Sequence, residues 1–143
     1  LRLLKVRCLS QKPESQFWSQ LKSGLLKARN DVILTRIENA STPGIPDILL
    51  CDEKNNFHLI ELKVSKGNVV KLSPHQVAFA VKHSEANVWV LVKKLGKTAR
   101  DYTVFLFKGP QIFDLVRFGL NKTEPSLRLS APIDYDSLYL ALV

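Results

Sequence analysis

Two apolar runs, residues 46–51 (PDILLC) and 57–65 (FHLIELKVS), are separated by five polar residues, Asp52-Glu53-Lys54-Asn55-Asn56. Short runs rich in Ile, Leu and Val, bounded by turn formers, read as strands. A link of this length favours antiparallel neighbours, because a parallel pair needs a long crossover. Strand side chains alternate between faces, so Glu61 and Lys63 share one face while Ile60, Leu62 and Val64 take the other. Pro46 stands at the first position of its run, where a strand tolerates proline. If the two strands pair, Asp47 at the head of one arrives beside Glu61 and Lys63 of the next. Two carboxylates and an ammonium at one spot can hold a divalent cation against a phosphodiester.

The elements around this hairpin follow from periodicity and punctuation. Pro13-Glu14-Ser15 opens a helix to about residue 29, with Phe17, Trp18, Leu21, Leu25 and Leu26 near one face. Asn30-Asp31 is a turn, residues 32–37 (VILTRI) a first strand, and residues 39–44 a loop. Ser73-Pro74 supplies the cap and first position of a second helix to about residue 83. Its candidate core contacts are Val77, Phe79, Ala80 and Val81. Residues 87–93 form a fourth strand too continuously apolar to be an edge. A fifth strand spans 102–107, and 111–118 reads as a short helix. Residues 119–132 look irregular, and 134–142 read as a final helix that sets Leu138, Leu140 and Leu142 against the core. Residues 1–12 alternate apolar and basic, as a short strand or an arm lying on nucleic acid would. The reading is a single α/β domain over residues 1–143, with a core at about 13–108 and a C-terminal extension at 109–143.

Composition narrows the class. With 143 residues, 45% hydrophobic and 24% charged, the chain suits one globular core rather than a disordered tail. The net charge of +8 is uneven: residues 1–109 carry 18 basic against 9 acidic side chains, and 110–143 carry 3 against 4. A basic surface attracts polyanions and also keeps a protein soluble. Two cysteines, Cys8 and Cys51, make no disulfide framework and no zinc pair; Cys51 reads as a small core residue. A reducing intracellular compartment, whether cytoplasm, nucleoid or nucleus, is expected. No apolar run is long enough for a membrane span, and the first ten residues are too short and too charged for a signal peptide. The chain begins at Leu and holds no Met, so upstream residues are expected. There is no GxGxxG, P-loop or GxSxG, and no support for nucleotide hydrolysis or serine-hydrolase chemistry.

Gly44-Ile45-Pro46-Asp47, then thirteen residues, then Glu61-Leu62-Lys63 resembles the PD-(D/E)xK nuclease superfamily. It looks most like the virus-type replication-repair nucleases (the VRR-NUC group) and the Holliday-junction resolvases, which share a Gly before Pro-Asp and a Gln early in the next helix, here Gly44 and Gln76. The resemblance covers roughly residues 13–108 and implies a restriction-endonuclease-like core. That core runs helix, three strands, helix, strand, with helices flanking a central mixed sheet. It implies Mg²⁺, with Mn²⁺ as substitute, held by Asp47, Glu61 and the backbone carbonyl of Leu62. Lys63 would contact the attacking water and phosphate, and Gln76 would position the lysine or a phosphate. Glu14, or Glu38 as its rival, would complete the metal site. The aromatic partner many members carry four residues after the Gln is replaced by Ala80.

Lys66, Lys71, Lys93, Lys94, Lys97 and Arg100 cluster in or beside the loops after the third and fourth strands, as candidates for a nucleic-acid backbone. His58, on the face opposite Glu61, reads as structural, and Ser73 as a helix cap. The implied activity is a metal-dependent, structure-selective DNA endonuclease acting on branched or junction DNA. A homodimer and a phage or viral source go with it. Two other readings stay open on the sequence: an RNA endonuclease, and a catalytically inactive nucleic-acid-binding subunit on the same fold. A third, a basic protein with no site, requires Glu61 and Lys63 to be a solvated strand face, and Asp47 lying far from Glu61 would support it.

Overall fold

The computed structural model describes residues 12–38 and 41–143. The expected N-terminal arm, Cys8 and part of the loop at 39–44 therefore lie outside the described residues, wholly or in part. Helix α1 spans Pro13–Ala28, with proline in its first turn, where the missing N–H costs nothing. Strands β1 (Ile33–Arg36), β2 (Ile48–Cys51) and β3 (Phe57–Ser65) follow. Next come α2 (Pro74–Lys82), β4 (Val88–Leu95) and β5 (Tyr102–Lys108). The chain ends with α3 (Gly109–Phe118), β6 (Leu127–Ser130) and α4 (Tyr135–Leu142).

The six strands lie in chain order in one sheet. Every neighbouring pair is antiparallel except β3 and β4, which are parallel. The reason is the connection: residues 52–56 allow only a tight turn, whereas α2 supplies the crossover that a parallel pair requires. Asp52 holds the tight turn, its Oδ1 accepting from the N–H groups of Lys54 and Asn56 at 2.9 Å each. β4 lies between β3 and β5, and its uninterrupted burial through Lys93 fits that position.

The sheet separates two apolar layers. One packs Phe17, Leu21 and Leu25 of α1 and Leu138 and Tyr139 of α4 on Leu50, Ile60 and Leu62. The other packs Ala80 of α2 and Ile112 and Leu115 of α3 on Val90, Val92 and Phe107. Burying each large apolar side chain contributes about 1.5–3 kcal/mol. Residues 109–143 belong to both layers and to the sheet, so the last quarter of the chain is structural core rather than an appendage.

Four expectations are corrected. Residues 119–132 contain a strand, β6, whose Leu127 and Leu129 turn inward while Arg128 and Ser130 stay exposed. Leu140 is 57% exposed, because a helix places residues 138, 139 and 142 on one side and carries 140 away from it. Val81 is 49% exposed for the same reason, and in α2 it is Ala80 that is buried. Cys51 is half-buried and free, near the sheet edge rather than in the core.

Candidate active site

β2 begins at Ile48, opposite Ile60 of β3, and the same register carried back one residue sets Asp47 opposite Glu61. There the strand ends and the side chain takes over. Asp47 Oδ2 accepts the N–H of Leu62 at 3.0 Å, and the Asp47 carbonyl accepts from Ile37 at 2.6 Å. The aspartate thus closes the open corner of the sheet and is held there by two strands. Gly44 lies just upstream with φ of +91°, a conformation L side chains rarely adopt. A Cβ on it would collide with the carbonyl of His75 in the first turn of α2. Glycine here lets the loop before Asp47 lie against α2.

Glu61 is 5% exposed, although strand polarity alone would let it face solvent. Its Oε1 accepts from Gln76 Nε2 at 2.6 Å and lies 3.4 Å from Lys63 Nζ. The Gln76 amide is oriented by the helix cap. Its Oε1 accepts the N–H of Ser73 at 2.9 Å, while the Ser73 hydroxyl accepts the N–H of Gln76 at 3.2 Å. With the oxygen spent on this capping box, only the NH₂ group is left to face Glu61. Burial, reinforced by the charge of Asp47, pushes the Glu61 carboxyl up to about 7; Lys63 opposes this and is outweighed.

Asp47, Glu61, Leu62, Lys63 and Gln76 line one cavity of about 230 Å³, and Glu14 reaches it from the start of α1. Glu38 does not line it. The proximity of Asp47 to Glu61 removes the reading in which Glu61 and Lys63 are only a solvated strand face. Among the described residues no three His, Cys, Asp or Glu side chains form a metal-binding group on their own. Two carboxylates forced together in a cleft still fit a hard cation, because a positive charge would relieve the repulsion that raises Glu61. Mg²⁺ commonly keeps several waters and uses one or two carboxylates, so this donor set is sufficient.

Sequence reasoning missed three residues that line the cavity, Ile48, Arg36 and Trp18. Arg36 of β1 lies opposite Ile48, next to Asp47 in register, and its guanidinium donates to Ser15 Oγ at 3.5 Å. The antiparallel β1–β2 pairing was the signal that would have found it. Trp18 is packed partly against the α1 core, with Lys22 Nζ 5.7 Å from its ring centroid.

The basic residues divide. Lys66 and Lys71 line a second groove, which shares Glu14 and Lys63 with the cavity. Lys97 and Arg100 are exposed in the β4–β5 turn. Lys94 is half-buried and donates to Asn68 Oδ1 at 2.7 Å. Lys93, expected with them, is 8% exposed. It donates to Gln20 at 2.6 Å, lies 4.4 Å from the Tyr102 ring centroid, and burial lowers its pKa. Strand alternation puts it on the α1 side of the sheet, away from the basic loops. His58 is structural: its Nε2 lies 2.9 Å from Asp52 Oδ2, and that bond is the main cause of an Asp52 carboxyl held down to about 2.

No protein-family model matches this chain, and no curated protein matches it by sequence. Among solved structures it resembles Hjc, a Holliday junction resolvase from the archaeal hyperthermophile Archaeoglobus fulgidus. The TM-score is 0.52 at 22% identity, over 89% of this chain and 98% of that one. The likeness establishes the α/β, restriction-endonuclease-like fold expected from the sequence. Among the described residues no helix is long and apolar enough to cross a membrane.

Proposed function

We propose that this chain is a metal-dependent nuclease that hydrolyses DNA phosphodiesters, acting as a structure-selective endonuclease on branched or junction DNA. The observation that carries the reading is the convergence of Asp47, Glu61, Lys63 and Gln76 in one cavity at the corner where β2 begins beside β3. The resolvase-like fold and the spacing shared with the PD-(D/E)xK superfamily, its VRR-NUC and junction-resolvase groups above all, support the substrate class.

In this reading Asp47, Glu61 and the Leu62 carbonyl would hold Mg²⁺, or Mn²⁺ in its place, and Glu14, which lines the same cavity, would hold a metal-bound water. The ion would supply charge neutralisation at the scissile phosphate and a water of lowered pKa. The protein's own groups supply position. Lys63, partly buried at the cavity wall, presents its ammonium to the water and to a phosphate oxygen, where negative charge accumulates as the bond breaks. Gln76 fixes one oxygen of the Glu61 carboxylate at the cavity wall. Arg36 offers a second cation on the Asp47 side. Lys66, Lys71, Lys97 and Arg100 track the flanking backbone. A homodimer would present two such cavities to the two strands of a junction.

The test is single-turnover cleavage of labelled duplex, flap and four-way-junction DNA, with RNA as a comparison, in Mg²⁺, Mn²⁺ or EDTA. Asp47→Ala and Lys63→Ala are each expected to lose at least a hundredfold in rate while salt-sensitive DNA binding persists. Cleavage at the unmodified rate by both variants would sink the proposal. Binding without metal-dependent cleavage by the natural chain would favour the inactive subunit instead.

A further inference from the structure

Beyond the cavity at Asp47 and Glu61, a second groove of about 430 Å³ opens between the start of α1 and the connection from β3 to α2. The two spaces share Glu14 and Lys63 in their walls, so they are direct neighbours. The far wall of the second groove is formed by Lys66, Val69 and Lys71.

The connecting segment, residues 66–73, is built to keep its shape. Ser65 Oγ donates to the Gly67 carbonyl at 2.9 Å, and Asn68 accepts from Lys94 Nζ at 2.7 Å. The Asn68 carbonyl also takes the N–H of Leu120 at 2.8 Å. Val70 is buried at 3% exposure in the layer shared with α3, and Ser73 caps α2. With both neighbours tied down, Val69 is 69% exposed, the highest value for a large apolar side chain among the described residues. Such a residue gains nothing from folding where it stands. It lines a groove that holds three lysines against one glutamate. Positive charge flanking a fixed apolar knob suits a polyanion that also carries apolar surface, which describes a nucleic-acid strand.

We infer that this groove seats the nucleotide next to the scissile phosphodiester, with Lys66 and Lys71 on its phosphate and Val69 against its sugar. The inference rests on the nuclease reading and adds where the strand runs as it leaves the cavity. Because the segment is braced before any ligand arrives, the groove fixes the path of the strand instead of moulding itself to it.

The test uses the whole chain and labelled four-way-junction DNA. Binding is measured by fluorescence anisotropy in EDTA across a potassium chloride series, and single-turnover cleavage in Mg²⁺. The Lys66→Ala, Lys71→Ala double variant is expected to flatten the slope of log affinity against log salt by about 1.8. Val69→Ser is expected to leave that slope unchanged and weaken binding roughly tenfold, and Val69→Ile to restore it. All three side chains are exposed, so thermal melts should match those of the natural chain. If the natural chain binds and cuts while these variants keep its slope, affinity and rate, the groove assignment is overturned and the nuclease reading stands. If the natural chain neither binds nor cuts DNA, both fall together.

Discussion

Replacing Glu61 by Gln should stabilise the metal-free protein at alkaline pH, even though it removes a residue the proposed activity needs. Glu61 is 5% exposed, faces Asp47, and its carboxyl is pushed from 4.5 to about 7, first by burial and then by the Asp47 charge. Its folded value lies above its unfolded one, so the folded chain holds a proton that the unfolded chain has already lost. Stability therefore falls as pH rises from about 4.5 to about 7 and stays low above that window. A rise of about 2.5 pH units, at about 1.4 kcal/mol each, amounts to about 3 kcal/mol lost between pH 4 and pH 8. Glutamine keeps an oxygen for Gln76 Nε2 and cannot ionise, so the Glu61→Gln variant should lack this fall. The assay is urea unfolding in EDTA at pH 4.5 and pH 8, for both proteins, with m-values required to agree. The natural chain should lose about 3 kcal/mol more than the variant between the two conditions. Equal losses, within about 0.5 kcal/mol, would refute the claim that burial, reinforced by the Asp47 charge, raises the Glu61 carboxyl in the folded chain. Adding Mg²⁺ at pH 8 should stabilise the natural chain and leave the variant nearly unchanged.

Gln76→Glu keeps the capping-box acceptor for Ser73 but sets a third carboxylate against Glu61 in place of a donor at 2.6 Å. It should cost about 1.5–3 kcal/mol at pH 8 and less at pH 5, with helix content unchanged, as read by circular dichroism and urea unfolding. Lys93→Met should leave the salt dependence of DNA binding unaltered, because this lysine points at Gln20, Phe17 and Tyr102 and not at the basic loops. A slope shallower by about 0.9 in the anisotropy titration would show that Lys93 meets a phosphate after all.

How much of the site could be read in advance depends on the kind of constraint. Asp47, Glu61 and Lys63 were legible because each lies within one short hairpin: a five-residue turn dictates antiparallel pairing, and pairing dictates which side chains meet. Gln76 was legible by spacing in the motif, but its bond to Glu61 was not, since that depends on how α2 docks. Arg36 and Trp18 escaped because their approach depends on β1 pairing with β2 and on α1 crossing the sheet, contacts between segments far apart in the chain. Lys93 misled because charge and exposure usually go together, and here aromatic faces and a glutamine accept a buried ammonium.

The order of elements, the hairpin, the crossover and the acid-acid-lysine trio were determined by the sequence itself, through local rules of turn length, capping and alternation that need no distant partner. β6 was hidden in a stretch rich in turn formers, and only its pairing with β5 made it a strand. Which of Glu14 and Glu38 lies at the cavity was likewise tertiary: Glu14 at the start of α1 lines it, and Glu38, two residues beyond the end of β1, does not. So was the burial of Glu61, the property on which its chemistry turns. A residue's face follows from its neighbours in the chain, but its dielectric surroundings follow from everything that packs on that face.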